Sequence, residues 1–461
     1  MQGGVLFKSH PYRNCIYIDT IGSPMEDVLT TIQSPRFDKD QFKKQLEIIE
    51  AAANEAKKQA DYKSAHDAEV LRSIGVVEEF LRRTKRLCYG GQAINAHLPK
   101  KHQFYDPELS VPDYDFFTPD QSADIEELTQ LLQKAGFEEI SSREGMHAGT
   151  KKLYVNFVPV ADISQIDERL YDLLHKEAFE SHGINYMGTD TLRMLMYLEL
   201  SRPDGEVLRW TKVYERLILL NTFDPVRKCH QKLTKGLMSP KEVDDAMDYI
   251  TQEKRVFAGG DLKGLYKSAF NKKEPYAEWL LHTNQPILFF SPDLLNDTKH
   301  FAYELRHSSE ERTFISKVEA AGGDLIPPMT IFMRRDQPFL IIVAETACHA
   351  YYDIPLKERR TLRVATIDTL VTLYFALNLL KFKFRSMGAL GCLASQLIEI
   401  SYRARNNPLL FPFPFVSLKC SGHQRGIASL IRSKVRRIKT EKLKLAKKKR
   451  QQRRTARKHT N

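Results

Sequence analysis

The chain has 461 residues, 42% of them hydrophobic and 28% charged, a composition that supplies a sizeable core and excludes a disordered, collagenous or small disulfide-stapled protein. The longest apolar runs, 338–344 and 370–380, fall far short of the roughly 20 residues of a membrane helix. Residues 1–12 lack the apolar core of a signal peptide, so a soluble intracellular chain with no membrane partner is expected. The net charge of +12 is uneven: residues 421–461 carry +15 and the remainder −3. A polycationic tail on a near-neutral body points to nucleic acid, with a localisation signal or a solvated arm as the plainer reading.

Helical spacing of Phe42, Leu46, Ile49 and Ala53 predicts a helix over 38–60. Val70, Ile74, Val77, Phe80 and Leu81 predict a second over 66–86, with starts at Asp38 and at His66 or Asp67. Residues 87–95 read as a short strand or helix end broken by Gly90 and Gly91. Strand composition follows at 111–118, an amphipathic helix at 125–135 closed by Gly136, and two further strands at 137–142 and 153–163. From residue 188 the chain turns helical: Thr189, Asp190 and Thr191 cap 192–200, the turn at Pro203, Asp204 and Gly205 interrupts, and 210–220 resumes. Residues 224–285 read as polar helices and loops, 286–290, 330–333 and 339–343 as strands, and 367–380 as an apolar helix. Asp190, Thr191 and Leu192 are echoed by Asp368, Thr369 and Leu370, as if one α/β unit had been duplicated and the second copy had lost its acidic residues. The six cysteines form no C-x-x-C pair, and Cys229-His230 and Cys348-His349 are poorly spaced for metal, so all six are read as reduced, mostly buried thiols.

The sharpest chemical feature is Pro112-Asp113-Tyr114-Asp115-Phe116-Phe117. Residues i and i+2 of a strand share a face, so Asp113 and Asp115 project together. Two carboxylates so close repel unless a cation lies between them, and oxygen ligands of this kind suit Mg²⁺ with a phosphate substrate. Upstream, the Gly90-Gly91 turn lets backbone approach a ligand closely before a helical segment. Downstream, Asp162 ends an apolar run as a third carboxylate. Lys151 and Lys152 read as a solvated strand edge, with phosphate contact as the alternative. Trp210 and Tyr214 read as core rather than adenine stackers. For the run from Phe411 to Phe415 a packing strap and a partner site stay open.

The order Gly-Gly turn, D-x-D strand, later strand-borne Asp is that of the DNA-polymerase-β-like nucleotidyltransferase superfamily. More narrowly, the segments at 89–95, 112–117, 157–163 and 209–217 resemble the catalytic subunits of poly(A) polymerases from large cytoplasmic DNA viruses, well over 85–222 and loosely over 1–84 and 286–420. The resemblance implies an α/β (α+β) fold with a nucleotidyltransferase-type mixed sheet. With the chain's own patterning, the expected organisation is an N-terminal helical region (1–84), a catalytic domain (85–222), a helical connector (223–285), a C-terminal α/β domain read as a degenerate copy (286–420) and a basic tail (421–461), to which the resemblance assigns nothing and which has too little apolar surface to be ordered when free. The resemblance implies an ATP-dependent polynucleotide adenylyltransferase that extends an mRNA 3′ end without template. Asp113, Asp115 and Asp162 match the carboxylates that hold Mg²⁺ or Mn²⁺, and Gly90 and Gly91 the turn that holds the nucleotide. Lys212 is assigned a phosphate contact on its place in a matching segment. Expected partners are RNA and ATP, with a homodimer or a separate processivity subunit as tether, acting in the host cytoplasm or packaged in the virion. Competing readings are an oligoadenylate synthase-like or small-molecule adenylyltransferase, and a non-catalytic RNA-binding scaffold. The tail, with Lys and Arg but no aromatic residue over 431–458, is expected to grip RNA backbone.

Overall fold

In the computed structural model, which describes residues 38–106, 109, 111–226, 237–259, 262, 264–266, 286–308, 311–322, 325–356, 360–380, 388–406 and 416–458, the chain divides into units Met1–Lys57 and Lys58–Asn461. Helix α1 (Lys39–Ala65) starts where Asp38 accepts the amide of Asp40 at 2.9 Å. Helix α2 (Ala68–Thr84) starts at Asp67, whose carboxylate accepts the amides of Glu69 and Val70, and buries Ile74, Val77, Phe80 and Leu81. Both starts are those the sequence predicts.

The first sheet follows. Its elements are β1 (Leu87–Tyr89), α3 (Gly90–Ala96), β2 (Tyr114–Thr118), α4 (Gln121–Lys134), β3 (Ile140–Glu144), β4 (Thr150–Val155), β5 (Val158–Gln165), α5 (Glu168–His175), β6 (Phe179–Ser181), β7 (Ile184–Tyr186), α6 (Thr189–Leu200) and α7 (Trp210–Phe223). Strand order is β3-β4-β5-β2-β1-β7-β6. The stretch 153–163, expected as one strand, is a hairpin: Asn156 and Phe157 take φ of 47° and 65° and turn β4 back along β5. Two consecutive left-handed residues suit the twist of a two-residue hairpin turn, and no glycine marks it. The cap of α6 also differs from expectation. Gly188 is the N-cap without a side-chain bond, and the Asp190 carboxylate instead takes the Arg193 guanidinium at 2.8 Å.

A second mixed sheet repeats the first. After α8 (Pro240–Gln252) come β8 (Val256–Phe257), β9 (Ile287–Ser291), α9 (Leu294–Ser308), β10 (Phe314–Val318), β11 (Met329–Arg334), β12 (Gln337–Ala344), β13 (His349–Pro355), β14 (Thr361–Ala365), α10 (Ile367–Asn378), α11 (Gly388–Asn406), β15 (Cys420–Ser421) and α12 (Ile427–Lys458). The order β10-β11-β12-β9-β8-β14-β13 matches β3-β4-β5-β2-β1-β7-β6 strand for strand, with β15 added at the edge. Every pairing keeps its sense: β1–β2 and β8–β9 are antiparallel, β1–β7 and β8–β14 parallel, β2–β5 and β9–β12 parallel. The copy begins at β8, inside the stretch expected as connector.

The duplication reaches single bonds. Phe116-Phe117-Thr118-Pro119-Asp120 recurs as Phe289-Phe290-Ser291-Pro292-Asp293. Thr118 and Ser291 each accept the amide two residues on at 3.1 Å, and Asp120 and Asp293 each accept the amide three residues on, at 3.1 and 3.0 Å. By register, Asp115 corresponds to Leu288 and Asp162 to Ile341, while Asp113 falls on Pro286 and Gly90 on Gly259. The carboxylates are replaced by buried aliphatic residues, so the copy keeps the scaffold without the acids.

Two further expectations change. Cys348 and Cys420, 72 residues apart, form a disulfide because β13 pairs with β15; spacing along the chain could not show this. Cys88 is free and buried, as expected, and Cys15 and Cys229 lie outside the described residues. The basic tail is helical over Ile427–Lys458. That stretch has no Pro or Gly and is rich in Lys, Arg, Leu and Ala, all strong helix formers. The Phe411 to Phe415 run lies outside the described residues. Among the described residues no helix is long and apolar enough to cross a membrane.

Candidate active site

Strand β2 lies between β1 and β5, and the pairing aligns Tyr89, Asp115 and Asp162 side by side across three strands. Cross-strand neighbours share a face, so Asp115 and Asp162 point together. Asp113, one residue before β2 begins, joins them from the i−2 position. Tyr114 and Phe116 point the other way and are buried at 5% and 0% exposure, which fixes the alternation. The Tyr89 ring stacks on Phe117 at 4.1 Å, and its hydroxyl shares a 2.9 Å hydrogen bond with Ser164, two positions beyond Asp162 on β5.

Gly90 follows β1 at φ 71°, and a Cβ there would lie 2.5 Å from Asp115 Oδ2. Glycine is therefore required both by conformation and by the close approach to the carboxylate. At Gly91 a Cβ would fall 2.7 Å from the Tyr105 ring and 3.0 Å from the Arg216 guanidinium. The loop bearing Tyr105 is pinned by Asn95, whose side chain accepts the amides of Phe104 and Tyr105 and donates to the Tyr105 carbonyl. Arg216, on α7, donates to the Tyr105 hydroxyl at 2.7 Å and lies over the Phe104 ring at 4.5 Å. The Gly-Gly turn is thus walled by an aromatic–guanidinium pair from two distant segments.

The electrostatics are those of crowded acids. Burial, then repulsion from Asp113 and Asp162, pushes the Asp115 carboxyl up to about 7. Asp113 is raised as well, first by desolvation in the cleft and then by Asp162, with Lys152 and Lys212 opposing. Burial alone would lower the Lys152 ammonium, but its bond to Asp162 and the charges of Asp113 and Asp115 more than reverse this. Lys152 reaches Asp162 Oδ2 at 2.5 Å, while Asp162 Oδ1 is buried with no hydrogen-bond partner. A buried carboxylate oxygen without a donor is costly. Such an oxygen, on the carboxylate whose neighbour across the strands is Asp115, is suited to ligate a cation. Elsewhere, ligand atoms of Asp204, Cys348 and Cys420 lie within 4.8 Å of one another, but there the cysteines are bonded to each other.

Of the six residues singled out from sequence, Asp115 and Asp162 are brought side by side by register, Asp113 precedes Asp115 by two positions and Gly90 abuts Asp115; Gly91 instead packs against Tyr105 and Arg216, and Lys212 bears on the acids through its charge, which favours the ionised form of Asp113. Trp210, half-buried, donates from its indole to the Glu199 carbonyl at 3.0 Å. Sequence reasoning placed Lys152 on a solvated strand edge, with phosphate contact as the alternative, and missed Tyr105 and Arg216. A signal for Lys152 existed, because a hairpin turning at Asn156-Phe157 sets it opposite Asp162 once a bulge at Leu153 and Tyr154 is allowed.

A mixed sheet with adjacent-strand aspartates beneath a glycine turn, followed by a degenerate second copy, defines a nucleotidyltransferase-type fold. Residues 75–206 match the family described as poly(A) polymerase catalytic subunit. A protein of that name from African swine fever virus is 34% identical over 173 residues, 36% of each chain. Another from Acanthamoeba polyphaga mimivirus is 29% identical over 188 residues, 40% of this chain and 31% of that one. The alignments thus span about a third of the length of these relatives. The crystal structure of the Megavirus polyadenylate synthase shares the fold with a TM-score of 0.70, at 17% identity over 91% of this chain and 86% of that one. The resemblance to viral poly(A) polymerase catalytic subunits therefore holds in sequence over the first sheet, and the likeness to the Megavirus polyadenylate synthase holds in fold over most of the chain.

Proposed function

We propose that the chain is a template-independent poly(A) polymerase that transfers AMP from ATP to the 3′-hydroxyl of an mRNA and releases pyrophosphate. The observation that carries this reading is the alignment of Asp115 with Asp162 on adjacent parallel strands, with Asp113 beside them and Gly90 against Asp115, inside the segment 75–206. Phosphoryl transfer asks a protein mainly for positioning and charge stabilisation, and these residues supply both. Asp113, Asp115 and Asp162 would hold Mg²⁺ or Mn²⁺, which in such sites activates the attacking hydroxyl and stabilises the leaving group's charge.

The chain's own groups do the rest. The glycine turn admits the triphosphate close to Asp115, where a side chain would block it. Lys212 and Lys152 place positive charge about the acids, in reach of phosphate oxygens. Asp162, beside the ion it would help to hold, accepts the proton of the 3′-hydroxyl as the hydroxyl oxygen attacks the α-phosphorus and the bond to pyrophosphate breaks. The test is primer extension with ATP, CTP, GTP and UTP in parallel, each with Mg²⁺ or Mn²⁺. A ladder formed with ATP in preference to the others is expected; a folded protein that extends RNA with none of the four overturns the proposal.

A further inference from the structure

Helix α12 (Ile427–Lys458) holds fifteen Lys or Arg and one acid, Glu441, with no aromatic residue. It is docked on the first sheet. Arg437 donates to Glu144 Oε2 at 3.0 Å and to the carbonyls of Gly145 and Met146 at 3.1 and 3.2 Å, at the β3–β4 turn. The lone acid faces the body too, taking Lys151 Nζ at 3.0 Å. Lys151 is the strand neighbour of Lys152, which grips the Asp162 carboxylate, so the helix is fastened one residue from the catalytic acids' own strand partner. Leu430, Ser433, Lys434, Arg437 and Ile438 are half-buried, which marks the docked face. Arg432, Arg436, Lys439 and Lys442 are exposed and fall on the other side of the helix.

We infer that α12 is a docked binding track for the phosphate backbone of single-stranded RNA, held in fixed relation to the catalytic sheet by Arg437 rather than trailing as a free tether. The inference rests on RNA being the acceptor. The chemistry favours a polyanion recognised without regard to sequence: the outward cations are undiluted by acids because the helix's one acid, Glu441, is paired with Lys151 of the body, and no aromatic side chain is present to stack on a base. Docking has a consequence that a loose tail lacks. An RNA held along a fixed helix keeps its 3′ end near the site between additions, so successive adenylations follow one binding event.

The experiment uses the full chain. Fluorescence anisotropy with labelled oligo(A) and with a mixed-sequence RNA, without ATP and over a salt series, compares wild type, the quadruple variant R432Q/R436Q/K439Q/K442Q, and Arg437→Ala. The quadruple variant should flatten the log–log salt dependence by about 0.7 per lost contact, or about 3 for four contacts, equally for both RNAs. Arg437→Ala should keep most of that slope but shorten the product made per binding event when a heparin trap follows primer loading. Unchanged affinity and slope in the quadruple variant overturn the track and leave the helix to an acidic protein. Unchanged product length in Arg437→Ala overturns the docking. Addition of a single AMP at saturating primer, read separately, reports whether the catalytic reading stands; its absence in wild type would fail that reading, while the binding series still decides the helix.

Discussion

Gly90 sits at φ 71°, with Asp115 Oδ2 where a Cβ would go. Gly90→Ala should therefore cost about 1–2 kcal/mol in left-handed strain and push the Asp115 carboxylate out of line with Asp162. Adenylation should fall at least tenfold while circular dichroism stays that of wild type. Normal activity would show that the glycine serves the fold alone. A second residue-scale prediction concerns Glu242, buried against Arg334 with bonds of 2.7 and 3.1 Å. Burial would raise its carboxyl, but the Arg334 and Ser239 hydrogen bonds more than reverse this and hold it below the ordinary range. A depressed carboxyl contributes stability above its unfolded value, about 4.3, and loses it as pH falls through the folded one. Glu242→Gln should thus cost about 3 kcal/mol at pH 7, and its deficit against wild type should shrink as pH drops below about 4. A deficit independent of pH in denaturant titrations would sink this account.

At the scale of elements, the two sheets share topology but make opposite demands at matching positions. Asp115 faces a cleft, whereas Leu288 is fully buried. Leu288→Asn should cost about 3 kcal/mol or more, through lost apolar contact and an unsatisfied amide, while Asp115→Asn should leave thermal stability within about 1 kcal/mol. The same duplication shows what sequence could reveal. Gly90-Gly91 and Asp113-x-Asp115 are local patterns, readable because strand alternation has a period of two. Asp162 was readable as a strand-end acid, but its place opposite Asp115 depends on β5 returning parallel to β2. The pairing of Lys152 with Asp162 was harder to read, because the hairpin turn at Asn156-Phe157 that sets it up carries no glycine. Tyr105 and Arg216 meet at Gly91 from segments 111 residues apart, a distance no local pattern spans. The second copy was visible at Asp368-Thr369-Leu370 but not at β8, because Gly259 survives without acids beside it.

Over the whole molecule, the first sheet carries the acids, the second keeps their scaffold with Pro286, Leu288 and Ile341 in their places, and α12 adds a cationic rod against the first sheet's edge. On the proposed function the first sheet is the catalytic copy and the second its support, and on the further inference α12 is the part that binds RNA. On the proposed function, AMP transfer takes place at Asp113, Asp115 and Asp162. The measurement that bears on it most directly is the single-turnover rate of AMP addition to an RNA 3′ end by wild type and by Asp115→Asn, at saturating ATP and Mg²⁺, with both proteins shown to be folded by their melting curves. Removing that negative charge should slow the addition by more than about a thousandfold, several kcal/mol of barrier. A folded Asp115→Asn protein that adds AMP at a rate near wild type would contradict the proposed function.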